Sequence, residues 1–397
     1  MIPRHLSNAL LEVAGQYPVV TVTGPRQSGK TTLVKSLFPR HRYANLEMPD
    51  TRALLQDDPR SFLRTAGVGI VFDEAQRVPE LFSYLQAAVD DDPRPGRFIL
   101  TGSQNFLLLQ GISQTLAGRV AVKHLLPLSL RELMLRPPAP PALLGDPEPG
   151  IPAPAFDVAT ALFNGFFPRI HDRELDPQEW LGNYVETYLE RDVRTVTNVG
   201  DLQAFSRFLS LCAGRAGQLL NVSSLAMDAG ISHTTARRWL SILEASFQIV
   251  LVAPYHRSFT KRLVKSPKMH FLDPGLLCNL LRIRSPEDLL LHSARGAVFE
   301  SYVVSEVHKR FLHAGQRASL YFWRDRSGHE VDLIVDQGER LTAIEAKAGE
   351  TVRPDFFKAI DYFRELAGDA CERCHVVYGG SEAFERRATR LVPWWLV

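Results

Sequence analysis

The spacing of hydrophobic residues divides the 397-residue chain into three stretches of different periodicity. In residues 1–135, short apolar runs alternate with segments of helical spacing, which predicts a parallel α/β sheet. Residues 156–292 have mainly helical periodicity, and residues 293–397 return to a mixed α and β pattern. Residues 136–155 are dense in proline and glycine, which predicts an exposed linker or loop between domains.

The first apolar run, Val19–Thr23, leads into the sequence GPRQSGKT, a G-x-x-x-x-G-K-[ST] motif between a predicted strand and a predicted helix. Backbone N–H groups of such a loop face phosphate oxygens, and the helix N-terminus adds positive potential. Lys30 is expected to reach the β- and γ-phosphates, and Thr31 to hold Mg²⁺. The residues predicted to bind ATP are Gly24, Pro25, Arg26, Gln27, Ser28, Gly29, Lys30, Thr31 and Thr32.

Polar side chains follow two further apolar strands at their carboxyl ends, where ligands collect in parallel sheets. Asp73 and Glu74 follow the first of these strands. Asp73 is expected to hold Mg²⁺, and Glu74 to act as the general base for the attacking water. A kinase would not need this second carboxylate, so the pair favours hydrolysis. After the next strand, Ser103 is preferred over Thr101 as the side chain that positions the water or senses the γ-phosphate.

The phosphate loop and the sequences VFDEAQ, ILTGSQ and LAGR resemble the prokaryotic AAA+ ATPases of the AAA_14 group. LPLSLREL, YLERDV, QLLNVSSLA, KSPKMHFLDPGL and the C-terminal HEVDLIV and IEAKAG resemble the DUF4143 domain that follows it. The resemblance spans nearly the whole chain and implies an AAA+ core in a homo-oligomer, with a hexameric ring as the expected form. It also implies that Arg119 is the arginine finger of a neighbouring subunit, although a lone arginine is more often a surface charge.

The middle stretch contains a helix–turn–helix pattern. Val222–Ala229 is predicted to form the first helix, Gly230 the turn, and Ser232 the cap of a second helix. A basic β-hairpin is expected to follow as a wing, with Lys268 among its phosphate contacts. Winged helices also serve as lids or protein docking modules, which is the alternative. The predicted DNA contacts are Thr234, Arg237, Arg238, Lys261, Arg262 and Lys265.

The C-terminal stretch places acidic residues on a predicted helix and hairpin. If residues 337–340 form a turn, the register sets Asp332 opposite Glu345, with Cβ atoms about 5 Å apart. Two such carboxylates repel unless a cation or a proton lies between them, and Mg²⁺ suits oxygen ligands. With Glu300 on the helix and Lys347 beside Glu345, the set resembles the PD-(D/E)xK nuclease signature. An inactive DNA-binding module and an ordinary charged hairpin are the alternatives.

Composition adds limits to this interpretation. The net charge is only +2, so contacts with nucleic acid must come from local basic patches. No apolar run is long enough to predict a membrane span, and four cysteines without a signal sequence suggest a cytoplasmic setting.

The sequence predicts an α/β AAA+ domain, a helical and winged-helix middle domain, and an α+β restriction-endonuclease-like C-terminal domain. The expected function is Mg²⁺-dependent ATP hydrolysis that moves or remodels duplex or branched DNA. A regulatory ATPase switch acting on protein partners and an ATP-dependent nuclease are the alternatives.

Overall fold

The computed structural model describes residues 2–65, 67–103, 112, 115–141, 151–189, 202–255 and 265–397. Two of the predicted DNA contacts, Lys261 and Arg262, lie outside these residues. The chain forms two compact units. Unit 1 comprises Met1–Leu128, Ala245–Phe247 and Leu312–Gln316. Unit 2 comprises Ser129–Glu244, Gln248–Phe311 and Arg317–Val397.

Unit 1 contains the predicted parallel α/β sheet, with five strands in the order β2-β3-β4-β1-β5. The strands are β1 (Val19–Thr23), β2 (Arg42–Asn45), β3 (Ile70–Asp73), β4 (Phe98–Gly102) and β5 (Val120–His124). The helices are α1 (Leu6–Ala14), α2 (Lys30–Leu37), α3 (Pro49–Asp57), α4 (Pro59–Arg64) and α5 (Leu81–Asp91).

Strands β1, β3 and β4 are buried along their whole length. Their alternate residues enter two different hydrophobic clusters, as Phe72 and Val71 do, because helices cover both faces of the sheet. Strand β4 lies between β1 and β3. The carboxyl ends of these three strands are therefore neighbours, and the residues that follow them meet at one edge of the sheet.

Unit 2 contains an eight-stranded mixed sheet in the order β12-β13-β11-β10-β9-β8-β6-β7. Its strands are β6 (Ile249–Pro254), β7 (Lys268–Phe271), β8 (Leu320–Arg324), β9 (Glu330–Asp336), β10 (Leu341–Lys347), β11 (Cys371–Tyr378), β12 (Phe384–Arg386) and β13 (Thr389–Pro393). The hairpin β6–β7 was expected to be a wing of the middle domain. Instead, β6 also pairs in parallel with β8 through Ala253 and Tyr321, so the hairpin extends the C-terminal sheet.

The helical middle stretch and the C-terminal stretch consequently belong to one compact unit, and the boundary expected at residue 292 falls inside it. The helices of unit 2 are α6 (Leu130–Leu133), α7 (Val158–Asn164), α8 (Pro168–Arg173), α9 (Pro177–Tyr184), α10 (Leu202–Ala213), α11 (Val222–Ala229), α12 (His233–Ala245), α13 (Pro274–Leu280), α14 (Pro286–Leu291), α15 (Arg295–His313) and α16 (Lys358–Ala367), with the ends of α12 and α15 reaching residues of unit 1.

Helix α15, the predicted helix that carries Glu300, is buried on nearly every side. Its polar residues find partners inside the protein. Glu306 accepts hydrogen bonds from Lys309 Nζ at 2.9 Å and from Leu130 N at 2.9 Å, and Ser305 donates to Leu272 O at 2.6 Å. The regularly spaced polar residues of α15 therefore make hydrogen bonds inside the protein and do not form a face exposed to solvent. No helix in the described part of the chain has the length and apolar character needed to cross a membrane.

Candidate functional sites

The phosphate-binding loop follows β1 and ends at the first residue of α2. Gly24 packs so tightly that a Cβ atom would lie 2.0 Å from Leu125 O. Gly29 has a φ of 93°, a conformation that glycine adopts without strain. Both glycines are therefore required by the shape of the loop.

Lys30 begins α2 with its side chain buried, and Nζ donates to Gly24 O at 3.0 Å and Pro25 O at 2.7 Å. Ser28 Oγ is buried in the loop without a hydrogen-bond partner among the described residues. A hydroxyl and an ammonium next to curled backbone fit the oxygen atoms of a phosphate chain. The loop residues thus fit the predicted nucleotide.

Asp73, at the end of β3, accepts hydrogen bonds from three hydroxyl groups. Thr31 Oγ1 lies 2.9 and 3.1 Å from its two carboxylate oxygens, Tyr43 Oη donates at 2.6 Å, and Thr101 Oγ1 donates to Oδ1. Burial and the bond to Asp73 raise the pKa of Tyr43. The adjacent hydroxyl and carboxylate oxygens of Thr31 and Asp73 are ligands suited to Mg²⁺. Sequence reasoning missed Tyr43, which no motif marks.

Glu74 adopts a left-handed backbone conformation with φ 57° and ψ 49°, which is strained for a residue with a side chain. Ser103 Oγ donates to Glu74 Oε2 at 3.0 Å, and Gln76 Nε2 donates to the same oxygen at 2.6 Å. Ser103 therefore contacts the predicted general base, while Thr101 contacts the predicted metal ligand. Strain of this kind concentrates where a side chain must be aimed for function.

Arg119 precedes β5 and lies at the other edge of the sheet. Residue Val19 at the start of β1 pairs with Val120, so Arg119 is one strand length, roughly 17 Å, from the loop that follows β1. Its Nε atom pairs with Asp90 Oδ1 at 2.6 Å, and its side chain is 36% exposed. Arg119 therefore lies outside its own chain's nucleotide loop.

The two helices predicted on either side of Gly230 have the predicted boundaries. Helix α11 ends at Gly230 with φ 71°, and Ser232 Oγ accepts a hydrogen bond from Thr235 N at 3.0 Å at the start of α12. Ala236 and Trp239 are buried on one face of α12. The predicted DNA contacts on α12, and Lys265 before β7, are exposed: Thr234, Arg237, Arg238 and Lys265.

The C-terminal hairpin has the predicted register. Leu341 pairs with Asp336 and Ile344 with Leu333, which directs Glu345 toward Asp332 at the next position. Asp332 Oδ2 accepts a hydrogen bond from Ala346 N at 2.9 Å. Lys347 Nζ donates to Glu345 Oε1 at 2.7 Å, whereas Glu345 Oε2 is buried without a described partner.

Lys268 was expected to be an exposed phosphate contact of the wing, and the structure shows instead that it is buried. It is 1% exposed, and Nζ lies 2.7 Å from Glu300 Oε1 and 3.6 Å from Asp332 Oδ1 and also contacts Glu330 Oε1. Sequence reasoning also missed Glu330. Residues two apart on a strand leave the same face, and this spacing could have indicated the cluster. It applies to Glu330 and Asp332 in HEVD, and to Lys268 and His270 in KMHF.

The electrostatics of this cluster follow from burial. Burial, together with the charge of Asp332, raises the pKa of Glu300 and of Glu345 to about 8. Burial opposes the charge on Lys268, but the attraction of Glu300, Asp332 and Glu330 outweighs it and raises its pKa. Burial and the ammonium of Lys268 lower the pKa of His270 to about 3. Lys268 is therefore a permanent cation beside a neutral imidazole.

Family models match three parts of the chain. A model described as an AAA domain matches residues 16–134, and two described as domains of unknown function, DUF8612 and DUF4143, match residues 155–287 and 295–397. The helical stretch, expected to be part of DUF4143, thus matches a model of its own. Each matched segment coincides with one of the three stretches of different periodicity.

Comparison with solved structures finds the Walker-type ATPase paby2304 of Pyrococcus abyssi, with 18% identity and a TM-score of 0.44, covering 71% of this chain and 96% of that one. A RuvB variant of Thermotoga maritima has 20% identity and a TM-score of 0.30, covering 62% and 87% of the two chains. Likenesses of this degree do not bear on function.

Two relatives match over most of their length. They are the uncharacterized proteins Rv2008c of Mycobacterium tuberculosis and Mb2031c of Mycobacterium bovis. Each is 32% identical over 370 residues, which cover 92% of this chain and 78% of the relative. The chain belongs to the same family as these mycobacterial proteins and, with its AAA domain, is an ATPase of the AAA type.

Proposed function

We propose that the chain hydrolyses ATP with Mg²⁺ in order to move or remodel DNA, and that it works as a homo-oligomer. The ATPase part is carried by the meeting of four side chains at the carboxyl edge of the unit 1 sheet. Thr31 and Asp73 offer oxygen ligands, and Glu74 is held by Ser103 at 3.0 Å. The DNA part is supported by the exposed Arg237 and Arg238 on the second helix of the helix–turn–helix.

The residues divide the reaction between them. Lys30 would exchange its bonds to the loop carbonyls for bonds to phosphate oxygens. Thr31 and Asp73 would hold Mg²⁺, which would supply positive charge beside the phosphate chain. Glu74 would accept a proton from the attacking water while Ser103 and Gln76 fix its carboxylate. The conversion of this chemistry into DNA movement would depend on changes between subunits.

An ATPase assay with single-stranded, duplex, forked and four-way DNA, with mass measurement of the assembly, tests the proposal. We expect duplex or branched DNA to raise ATP turnover, and the double variant Arg237→Ala/Arg238→Ala to lose that stimulation. Arg173→Ala is the matched control, because this arginine is exposed on another helix of unit 2. ATP turnover that no nucleic acid changes would refute action on DNA but leave the ATPase in place.

A further inference from the structure

The cluster formed by Glu300, Glu330, Asp332 and Lys268 is hereafter the acid–lysine cluster. One carboxylate oxygen from each of the three acids lies within 4.8 Å of the others, a spacing that could hold a metal ion. Lys268 Nζ contacts all three acids, at 2.7 Å from Glu300 and 3.6 Å from Asp332. The ammonium donates a hydrogen bond to Glu300 and forms ion pairs with all three carboxylates.

Two buried polar atoms near the three acids lack a hydrogen-bond partner among the described residues. Glu345 is 5% exposed, and the negative charges of Asp332 and Glu300 add to the effect of burial in raising its pKa. Its Oε2 atom has no hydrogen-bond partner among the described residues. His270 is fully buried, and its Nε2 lies 3.8 Å from Glu300 Oε1, again without a described hydrogen-bond partner. Carboxylate oxygens are ligands that suit Mg²⁺ and Mn²⁺, and the imidazole nitrogen is a further donor beside them.

An ammonium and a divalent ion cannot share this position. A metal ion binds carboxylate oxygen atoms at about 2.0–2.2 Å. The Lys268 nitrogen lies farther from Glu300 Oε1 and Asp332 Oδ1, at 2.7 and 3.6 Å, and occupies the space between them. Two positive charges a few ångströms apart in a buried site also repel strongly. Lys268 places one positive charge among the three acids without any metal, which offsets part of their mutual repulsion inside the protein.

We propose that the acid–lysine cluster is a divalent-cation site that Lys268 keeps closed, with the ammonium in the place of the metal. The wild-type chain then takes no divalent ion at Glu300, Glu330 and Asp332. Removal of the Lys268 charge opens the site to Mn²⁺ or Mg²⁺.

Titration of Mn²⁺ against the full-length, nucleotide-free chain, followed by the electron paramagnetic resonance signal of free Mn²⁺, tests this inference. Lys268→Met should gain one bound Mn²⁺ per chain at an affinity at least ~10-fold tighter than the wild type. Added Mn²⁺ should raise the thermal midpoint of Lys268→Met by more than it raises that of the wild type. Lys265→Met is the matched control, because this lysine is exposed three residues earlier.

The variant Lys268→Met/Asp332→Asn should lose the gained ion, which separates the cluster from any Mn²⁺ bound in unit 1. If Lys268→Met does not fold, the variant Lys268→Met/Glu330→Gln takes its place in the titration. This variant keeps Glu300 and Asp332 as ligands and has one negative charge fewer in the buried cluster. A folded variant of either kind without a gained ion would overturn the inference. So would a wild-type chain that binds Mn²⁺, or nicks plasmid DNA with Mn²⁺, in a manner abolished by Asp332→Asn. These outcomes are independent of ATP hydrolysis, since no nucleotide is present.

Discussion

At the scale of single residues, the carboxylates Asp73 and Glu74 are neighbours with separate surroundings. Three hydroxyl groups donate to Asp73, from Thr31, Tyr43 and Thr101. Glu74 instead receives bonds on one oxygen, Oε2, from Ser103 and Gln76. The left-handed backbone at Glu74 turns its side chain away from the direction that regular strand geometry would give it. Adjacent acids can thus take different roles because different side chains hold them.

This separation predicts different effects of substitution on ATP turnover. Glu74→Gln should lower kcat by about 100- to 10,000-fold, because the general base is lost, while ATP remains bound. Ser103→Ala should have a smaller effect, since Gln76 still holds the carboxylate at 2.6 Å. Single-turnover hydrolysis, measured beside nucleotide binding, distinguishes the two steps. Full turnover by Glu74→Gln would identify another residue as the base.

At the scale of elements, a buried cap links helix α13 to the turn between α7 and α8. Asp273 begins α13, accepts from Leu276 N at 2.9 Å and from Phe166 N at 2.8 Å, and is almost fully buried. Gly165 approaches so closely that a Cβ atom there would lie 2.4 Å from Asp273 Oδ1. The carboxylate of Asp273, in the sequence HFLDPGL, therefore connects the start of α13 with the turn that precedes α8.

Removal of this carboxylate should destabilise unit 2 strongly. Asp273→Ala leaves two buried N–H groups without partners, which costs about 2–6 kcal/mol of unfolding free energy. Ser285→Ala is the matched control, because Ser285 caps the neighbouring helix α14 by accepting from Asp288 N at 3.1 Å in an exposed position. Its loss should cost about 1 kcal/mol. Urea unfolding followed by circular dichroism measures both, and equal costs would contradict this account of the buried cap.

Elements defined by local chemistry could be predicted from the sequence. The phosphate loop, the ends of α11 and the cap of α12 depend on glycine, serine and hydrophobic spacing within a few residues. The hairpin register also followed from its turn, since Gln337 N donates to Arg340 O at 3.0 Å. Short-range hydrogen bonds and dihedral preferences determine these features, and both can be inferred from neighbouring residues.

Contacts between distant elements could not be predicted in the same way. Lys268 lies in a basic segment, and charge alone favours solvent, but its partner Glu300 is 32 residues away on a helix. The burial of Lys268 depends on the pairing of β6 with β8, which no local pattern specifies. Helix α15 is buried all round for a similar reason, because its polar residues bond to segments remote in sequence.

At the scale of the whole molecule, the position of Arg119 bears on the proposed homo-oligomer. It lies at the amino edge of the unit 1 sheet, roughly 17 Å along the strands from the loop at the carboxyl edge. Its partner in the same chain is the exposed Asp90, and such a surface ion pair stabilises by only about 0–1 kcal/mol. If the proposed neighbouring subunit presents its phosphates to Arg119, breaking this ion pair would cost the protein little.

A role for Arg119 in a neighbouring site predicts complementation between two inactive variants. Lys30→Ala loses the phosphate contact and Arg119→Ala loses the arginine, so each should hydrolyse ATP slowly alone. In a head-to-tail ring mixed at random from equal amounts of the two variants, about half the sites keep Lys30. About half of those sites adjoin a subunit with an intact Arg119, so about a quarter of wild-type turnover should return. Asp90→Ala should keep its turnover, because it removes only the partner of Arg119 in its own chain. Mixtures that remain inactive, or wild-type turnover per chain that stays constant on dilution to monomers, would assign Arg119 to the surface alone.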